Sequence, residues 1–351
     1  MSLSIFVDPD NGDDSYDGTT FSIPTPPSLV GPKRTINGAM ALITGPITVD
    51  TIIALKNTTH HVNANIQGIV CLLGSSLIFE PYDVSDGTLL WNQHNYDSGT
   101  YDPFDPSDDS GTFNEESDNK PAILDLQMSI EYSQNVEFRG LKFLDADAGG
   151  ATNHVIYIRT RSIVKFTYCR FDGFSAGFNA TYGIMTLIEN CYFKGQQIGI
   201  LCSGSSQMAL MGKCHIIDAV YRGIFAVIDS TIMILPWFGH TQVSSKLTIK
   251  TTQAPTGPYA AIEADVNATI YIQTPMPVQV SPFPGACKLA IENDDSEMGP
   301  DYKGIILGAR SLLVGRSRIK FTTKDLDNVT TVSMPVDQQI VMTGDGVVTS
   351  G

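Results

Sequence analysis

The chain repeats one short motif three times, as YCRFDG (168–173), NCYFKG (190–195) and KCHIID (213–218). The cysteines of these copies, Cys169, Cys191 and Cys214, lie 22 and 23 residues apart. A weaker copy, GLKFLD, precedes them at 140–145. Repeats of this length are typical of solenoids, in which each repeat forms one turn and contacts only its neighbours. We therefore expect turns that stack along one axis.

The segments between these copies read as short strands. They are rich in β-branched residues and end at Gly, Asn, Asp or Ser, as in HVIYIRT, MTLIEN and ATIYIQT. One turn cannot bury its own inward side chains, whereas parallel strands stacked about 4.8 Å apart enclose a continuous column. We predict an all-β fold, a right-handed parallel β-helix whose cysteines and phenylalanines form inward-facing ladders. A β-sandwich or a propeller would need regularly spaced Asn-Gly or Asp-Gly hairpin turns, and such turns are few.

The N-terminal residues carry a second pattern, VDPDNGDDSYDGT (7–19) followed by GPKRTINGA (31–39). It resembles the start of many right-handed parallel β-helix proteins of the pectate-lyase-like superfamily, although this chain has one extra residue before Gly12 and a Pro-rich insertion. The resemblance implies a first strand, an Asp/Gly loop and a short helix that closes the open end of the column. Thr35 can N-cap such a helix, because apolar residues follow it on one side. We predict that residues 1–45 form this N-terminal cap.

Three carboxylates of the same segment, Asp13, Asp14 and Asp17, are candidate calcium ligands. The spacing does not fit an EF-hand, because the twelfth position of that template is Pro24 where a Glu is required. A calcium site of another type and a purely structural Asp/Gly loop both stay open. No other cofactor is expected.

The column is predicted to occupy 46–324, and a strand-like tail follows at 325–351. Two irregular stretches, 83–120 and 274–303, are predicted to be long loop excursions from the column. The first is acidic and aromatic, and it contains no Lys or Arg before Lys120. The second is rich in Pro and acidic residues. Long loops of this kind are functional or disordered in most compact proteins.

Three aromatic residues of the first excursion are candidates for glycan binding, namely Trp91, Tyr96 and Tyr101. Aromatic faces beside carboxylates can hold a sugar ring by stacking and by hydrogen bonds to its hydroxyl groups. The alternative is a solvated loop, or a loop that packs on a neighbouring subunit. We favour the alternative for these residues.

Three aspartates, Asp145, Asp172 and Asp218, occupy nearby turn positions when the motif copies are aligned. Adjacent coils would place the first two about 5 Å apart and the last two about 10 Å apart. Glycoside hydrolysis needs two carboxylates about 5–9.5 Å apart, so these aspartates are the candidate catalytic residues. Sequences such as FDG are also ordinary turns. We expect the turn role, and hence no enzymatic activity.

Composition narrows the class of partner. The 351 residues carry a net charge of −15, which argues against nucleic acid, because phosphate binding needs clustered Lys and Arg. No apolar run reaches the length of a membrane span, and MSLSIFV does not resemble a secretory signal. The six cysteines have neither CxxC pairing nor zinc spacing, so we expect reduced core residues.

A reduced, acidic β-helix without a secretory signal resembles the virion proteins of tailed bacteriophages. The resemblance implies a structural protein that is made in the host cytoplasm and located in the virion, as a tailspike, a fibre or a particle decoration. It also implies a homotrimer that contacts other virion proteins and a polysaccharide of the host surface. Two alternatives stay open: a β-helix polysaccharide lyase or glycoside hydrolase, and a bacterial surface adhesin.

Overall fold

A computed structural model describes residues 2–25, 27–61, 64–83, 85–89, 123–125, 128–144, 156–173, 176–195, 197–235, 246–251, 260–272, 288–293, 303–307, 312–315, 319–324, 331–333, 340–342 and 347–350. Within them the chain forms short strands and one short helix, α1 (Ile36–Met40). No helix of this part of the chain has the length and apolar character that crossing a membrane requires.

The strands are short because each forms one side of a coil before the chain turns a corner. In chain order they are β1 (Leu3–Val7), β2 (Thr51–Lys56), β3 (Thr59–His61), β4 (Ala64–Gln67), β5 (Leu77–Tyr82), β6 (Ile123–Asp125), β7 (Met128–Glu131), β8 (Val136–Arg139), β9 (Lys142–Leu144), β10 (Ile156–Arg159), β11 (Ile163–Thr167), β12 (Arg170–Asp172), β13 (Ala176–Thr181), β14 (Met185–Glu189), β15 (Tyr192–Lys194), β16 (Ile198–Ser203), β17 (Gln207–Met211), β18 (Lys213–Ala219), β19 (Arg222–Val227), β20 (Thr231–Leu235), β21 (Lys246–Thr251), β22 (Ala260–Asp265), β23 (Thr269–Ile272), β24 (Lys288–Asn293), β25 (Lys303–Leu307), β26 (Leu312–Gly315), β27 (Ile319–Lys324), β28 (Thr331–Ser333), β29 (Ile340–Met342) and β30 (Val347–Ser350).

These strands form three long sheets that enclose the column. Sheet 1 has the order β1-β2-β5-β8-β11-β14-β17-β20-β23-β26-β30. Sheet 2 has the order β3-β6-β9-β12-β15-β18-β21-β24-β27-β28. Sheet 3 has the order β4-β7-β10-β13-β16-β19-β22-β25-β29. Consecutive strands such as β8, β9 and β10 lie in sheets 1, 2 and 3, so each coil contributes one strand to each side.

The coils that carry the motif copies pair in parallel at the period that the sequence repeat predicts. β11 pairs with β14, β12 with β15 and β13 with β16, each at an offset of 22 residues. Among the described strand pairs, β27 with β28 is the antiparallel one. The predicted all-β fold is therefore confirmed as a parallel β-solenoid.

The inward side chains form the predicted ladders. Cys169, Cys191 and Cys214 are fully buried, and the described cysteines are free thiols. The rings of Phe171 and Phe193 stack with centroids 4.6 Å apart, and a second ladder of Phe residues follows sheet 1. Stacked turns bury each other's side chains, so the motif copies describe the interior of the column. The ladder alignment is confirmed.

The N-terminal end of the column is closed by α1, as predicted. The Thr35 hydroxyl accepts a hydrogen bond from the Gly38 amide at 2.9 Å, which is the N-cap geometry. Ile36 and Ala39 are buried, and Met40 packs against the same core. This short helix covers apolar side chains that the first coil would otherwise expose.

Sheet 3 passes to sheet 1 through an unusual corner. In five consecutive coils the corner contains two successive residues with positive φ, namely Thr160–Arg161, Tyr182–Gly183, Gly204–Ser205, Ile228–Asp229 and Val266–Asn267. Backbone hydrogen bonds continue around this corner, for example from Asp229 N to Val266 O at 3.0 Å. Left-handed backbone is accessible to Gly and Asn but is strained for a β-branched residue such as Ile228.

The tail and the predicted excursions are described in part. β29 and β30 pair with β25 and β26 of the same chain, so the tail continues sheets 3 and 1.

Most of the excursion at 83–120 lies outside the described residues. The stretch 274–303 contains β24, a regular strand of sheet 2, so one strand of the column interrupts that predicted excursion. The alternating apolar residues of KLAIEN account for this strand.

Candidate functional site

Of the three candidate catalytic aspartates, only Asp172 has a described side chain. It ends β12 on the outer face of sheet 2, opposite to the inward Phe ladder. Asp145 lies outside the described residues, and of Asp218 only the backbone in β18 is described. In the register of the sheet, Asp172 faces Leu144 on one side and Lys194 on the other. A carboxylate pair with Asp145 or Asp218 stays a prediction.

Asp172 is bound by cations of its own wall. Arg170 Nε donates to both carboxylate oxygens, at 2.7 and 2.8 Å, and Lys142 Nζ lies 3.7 Å from Oδ2. The Arg170 guanidinium lies 5.3 Å from the centre of the Tyr192 ring, which lies 6.0 Å from the ring of His215. Lys142, Arg170, Tyr192 and His215 occupy one register position on β9, β12, β15 and β18. The carboxylate therefore links two coils.

A second group of charged residues lies on the outer face of sheet 1, and we call it the sheet 1 charge row: Glu80, Glu137, Arg139, Lys165 and Glu189. Arg139 Nη2 binds Glu137 Oε2 at 2.7 Å, and its Nη1 lies 3.5 Å from Glu80 Oε2. Lys165 Nζ lies 3.4 Å from Glu137 Oε1 and 3.1 Å from Glu189 Oε2. Ion pairs thus connect four adjacent strands, β5, β8, β11 and β14, across the coils.

The environment shifts the pKa values of two of these carboxylates in opposite directions. Burial raises the pKa of Glu80 to about 7, because the Arg139 charge only partly offsets the lost hydration and Glu137 adds repulsion. Burial alone would raise the pKa of Glu137 as well. Its bonds to Arg139 and Lys165 outweigh burial and hold its pKa below the usual value.

The sheet 1 charge row was missed by the sequence reasoning, although the repeat contains a signal for it. VEFR (136–139) and VKFT (164–167) each begin five residues before the second residue of a motif copy, Leu141 and Cys169. That spacing places Glu137 beside Lys165 on the outer face, as the pairing of β8 with β11 does. Because the motif alignment emphasised inward residues, the outward positions between them received no role.

The candidate calcium ligands bind groups of the N-terminal loop. Asp14 accepts hydrogen bonds from the amides of Arg34 and Thr35 at 3.0 and 2.9 Å, and Asp17 accepts one from the amide of Thr19 at 3.0 Å. Asp13 accepts one from the Ser15 amide at 2.8 Å. In the described residues no three His, Cys, Asp or Glu side chains gather as metal ligands would. Calcium binding stays a prediction.

The candidate glycan-binding residues Trp91, Tyr96 and Tyr101 lie outside the described residues. The outer face of sheet 3 provides described aromatic residues with similar chemistry. The Arg159 guanidinium lies 4.3 Å from the centre of the Tyr157 ring, and that of Arg222 lies 4.6 Å from the Phe225 ring. Aromatic faces beside guanidinium groups can contact sugar rings and their substituents.

Comparisons with protein-family models, with curated proteins and with solved structures give no match. The parallel β-solenoid is established by the strand pairing within this chain. The relationship to the pectate-lyase-like superfamily rests on the N-terminal pattern and stays a prediction.

Proposed function

We propose that the chain is a non-enzymatic structural protein of a tailed-bacteriophage virion, a tailspike, fibre or particle-decoration subunit that contacts the host surface as a homotrimer. The observation that best supports a structural role is the charge pairing of the outer wall. Both oxygens of Asp172 are bound by Arg170, and Glu137 is held by Arg139 and Lys165. Lys165 and Lys142 extend these ion pairs from Glu137 and Asp172 to the neighbouring coil, and such contacts stabilise the stacking of a long column.

Two further features suit this role. The described cysteines are free thiols inside the column, as expected for a protein that is made in a reducing compartment such as the host cytoplasm. The net charge of −15 disfavours nucleic acid as a partner. It is compatible with the proposed partners, which are other virion proteins and a surface polysaccharide. The aromatic and guanidinium groups of sheet 3 are the described candidates for contact with such a glycan.

The alternative function is that of a β-helix polysaccharide lyase or glycoside hydrolase, and the sheet 1 charge row favours it. Two carboxylates on adjacent strands, Glu80 and Glu137, have pKa values shifted in opposite directions. Such a pair can divide the roles of acid and base between its members. The side chain of Glu80 is only 2% exposed, however, so a polysaccharide would reach it only after the overlying segments move. For this reason we rank the enzyme second.

One experiment separates these functions. The purified full chain is incubated with capsular polysaccharide and lipopolysaccharide from a bacterial panel, and binding and polymer mass are measured together. The genes beside its own are sequenced in parallel. We expect binding to at least one polymer without a fall in its mass, and neighbouring genes for portal, capsid or tail proteins. Depolymerisation would support the enzyme, and an absence of both binding and virion genes would contradict the proposal.

A further inference from the structure

Two segments outside the column cover the outer face of sheet 1 near its N-terminal end, and we call them the cover: the loop that carries Phe21 and the turn at 85–89. An antiparallel bridge joins Leu89 to Tyr82 at the end of β5. The ring of Phe21 lies directly against Gly87, where even a Cβ atom would overlap it. The two segments therefore pack on each other as well as on the sheet.

An apolar cluster lies beneath the cover. Its buried members are Ile52, Ala54, Ile78 and Tyr82, and Phe6, Phe21 and Leu89 pack against them. Glu80 belongs to the same outer face, between Ile78 and Tyr82 along β5 and opposite Ala54 of β2. A carboxylate is thus enclosed in apolar surroundings outside the main core.

The polar contacts of Glu80 are incomplete. Its Oε2 lies 3.5 Å from Arg139 Nη1 and has no hydrogen-bond partner. Arg139 Nε and the hydroxyl group of Tyr82 are also buried without a hydrogen bond. The other end of the guanidinium binds Glu137 at 2.7 Å, so it does not turn fully towards Glu80. An ionised Glu80 would lose more hydration here than the protein replaces.

The charged groups near this pocket come from several elements: Arg139 and Glu137 from β8, Lys165 from β11, Asp50 before β2, Lys56 from β2, and Asp8 and Asp10 from the N-terminal loop. The turn of the cover carries Asp86, and Asp83 precedes it; their carboxylates accept hydrogen bonds from the amides of Thr88 and Ser85 in the same turn. Lys56 is already bound by Asp8 at 3.1 Å and by Asp10 at 2.9 Å. Arg139 is therefore the described cation that acts on Glu80.

We propose that Glu80 is a proton-operated switch for the cover, which stays closed while Glu80 carries a proton and opens more often once Glu80 is ionised. A neutral carboxyl group is tolerated in the apolar pocket. A carboxylate needs water, which reaches it when the Phe21 loop and the turn at 85–89 move away. Opening would expose the apolar cluster at the N-terminal end of sheet 1. This inference does not depend on the proposed virion role.

The direction of the effect follows from the pKa values. Burial raises the pKa of Glu80 from 4.5 to about 7 in the closed state, whereas a hydrated Glu80 would titrate near its ordinary value. Below pH 4.5 both states are protonated, so pH has no effect on the cover. Between pH 4.5 and 7 the ratio of closed to open states falls as Glu80 ionises in the open state. Above pH 7 Glu80 is ionised in both states, so the ratio no longer changes with pH. The shift corresponds to roughly a 300-fold change in the ratio of closed to open states.

Hydrogen exchange on the full-length protein tests the switch. Amide protection is measured between pH 5 and pH 8 by mass spectrometry and corrected for the intrinsic pH dependence of exchange. The reporters are the hydrogen-bonded amides of Asp17, Gly18, Asp83 and Gly87. We expect protection at these amides to fall by up to about two orders of magnitude towards pH 8. Glu80→Gln should keep the protection high at every pH.

Two controls make the result decisive. Glu131→Gln removes a carboxylate of sheet 3 and should follow the wild-type profile. Glu80→Met, which is apolar and of similar length, replaces Glu80→Gln if the amide variant does not fold. A wild-type profile that is flat from pH 5 to pH 8 would overturn the proposal, and so would a Glu80 variant that keeps the wild-type pH dependence.

Discussion

At the scale of single residues, the cations of the same strand and of the neighbouring coil together determine the pKa of a carboxylate on the outer wall. Glu80 and Glu137 lie on adjacent strands of one face and share Arg139. Glu137 has a second cation in Lys165, whereas Glu80 has apolar neighbours. Their pKa values move in opposite directions for that reason. Parallel register therefore adds a cation of the next coil to the cation that lies two residues away on the same strand.

The interior thiols give the first residue-scale prediction. Burial raises the pKa of Cys214 to about 12 and that of Cys191 well above the usual range, so little reactive thiolate forms at either site. We expect Cys169, Cys191 and Cys214 to react slowly with a thiol reagent at pH 8 in the native protein, and rapidly in denaturant. Mass spectrometry of labelled peptides measures this. Rapid native labelling at these three sites would contradict the ladder.

Asp172 gives the second residue-scale prediction. Asp172→Asn keeps the shape of the side chain but leaves Arg170 and Lys142 without their shared carboxylate. Because Asp172 is only 15% exposed, we expect a loss of roughly 3 kcal/mol in the free energy of unfolding, measured by urea denaturation. The exposed carboxylate Asp229, which accepts a hydrogen bond from Asn267, is the control, and Asp229→Asn should change stability by under about 1 kcal/mol.

The same variant tests the catalytic candidate. We expect no polysaccharide cleavage by the wild-type chain or by Asp172→Asn. If the wild type does cleave a glycan, a loss of activity by orders of magnitude in a folded Asp172→Asn would assign a catalytic role to this residue. Full activity in that variant would remove Asp172 from the candidate catalytic residues.

At the scale of elements, the corner between sheets 3 and 1 has the same backbone conformation in five coils, although its residue types differ. Each corner of two left-handed residues directs the chain into the next sheet 1 strand, and the residue after it points inward. Gly204 suits this backbone, whereas Thr160, Ile228 and Val266 are strained by their branched Cβ atoms. Cross-coil backbone hydrogen bonds hold these residues in place despite the strain.

A substitution at the corner tests this strain. Ile228 has φ 55° and is 50% exposed, so its side chain contributes little burial. Ile228→Asn should raise the free energy of unfolding by about 1 kcal/mol, because Asn adopts left-handed backbone more readily. Urea denaturation measures the change. Ile163→Asn, at an exposed position in the extended strand β11, is the control and should give no gain. A loss of stability in Ile228→Asn would contradict the account of the corner.

At the scale of the whole molecule, the described residues differ between the two ends of the column. The N-terminal end is closed by α1, with Ile36 and Ala39 buried against the first coils. At the other end β28, β29 and β30 are the last strands of sheets 2, 3 and 1. An edge strand has backbone groups that can pair with another chain. Copies of the same chain that close symmetrically around such edges would satisfy them.

This asymmetry underlies the prediction of a homotrimer. Light scattering at micromolar concentration should give about three times the chain mass of 38.0 kDa. Deletion of 325–351 removes β28 to β30 and should reduce the number of chains in the assembly. The edge strands that the proposed contact between copies uses are then missing. A wild-type protein that is monomeric, with a mass near 38.0 kDa, and that stays monomeric after the deletion would contradict both the trimer and the role of the tail.

Much of the fold was predictable from particular residues. The spacing of Cys169, Cys191 and Cys214 gave the period, and Thr35 gave the helix of the cap. The candidate site was less predictable. The aligned aspartates predicted a group of carboxylates at turn positions. In the structure, Asp172 forms ion pairs with Arg170 and Lys142. The pairing of outward side chains depends on a register that changes from coil to coil: the offset is 28 residues between β8 and β11, 22 between β11 and β14, and 38 between β20 and β23.

The sequence by itself determined that the chain is a parallel β-solenoid with a capped N-terminal end, because inward side chains must repeat at the period of the coil. The tertiary structure alone decided which charges meet and which are enclosed. Nothing local to LIFEPY (77–82) indicates that Glu80 is buried on the outer wall. Its apolar neighbours belong to a cluster against which Phe21, distant in sequence, packs, and its cation Arg139 lies in the next coil. Burial and charge depend on neighbours in space, which a periodic pattern specifies for the interior but not for the outer wall.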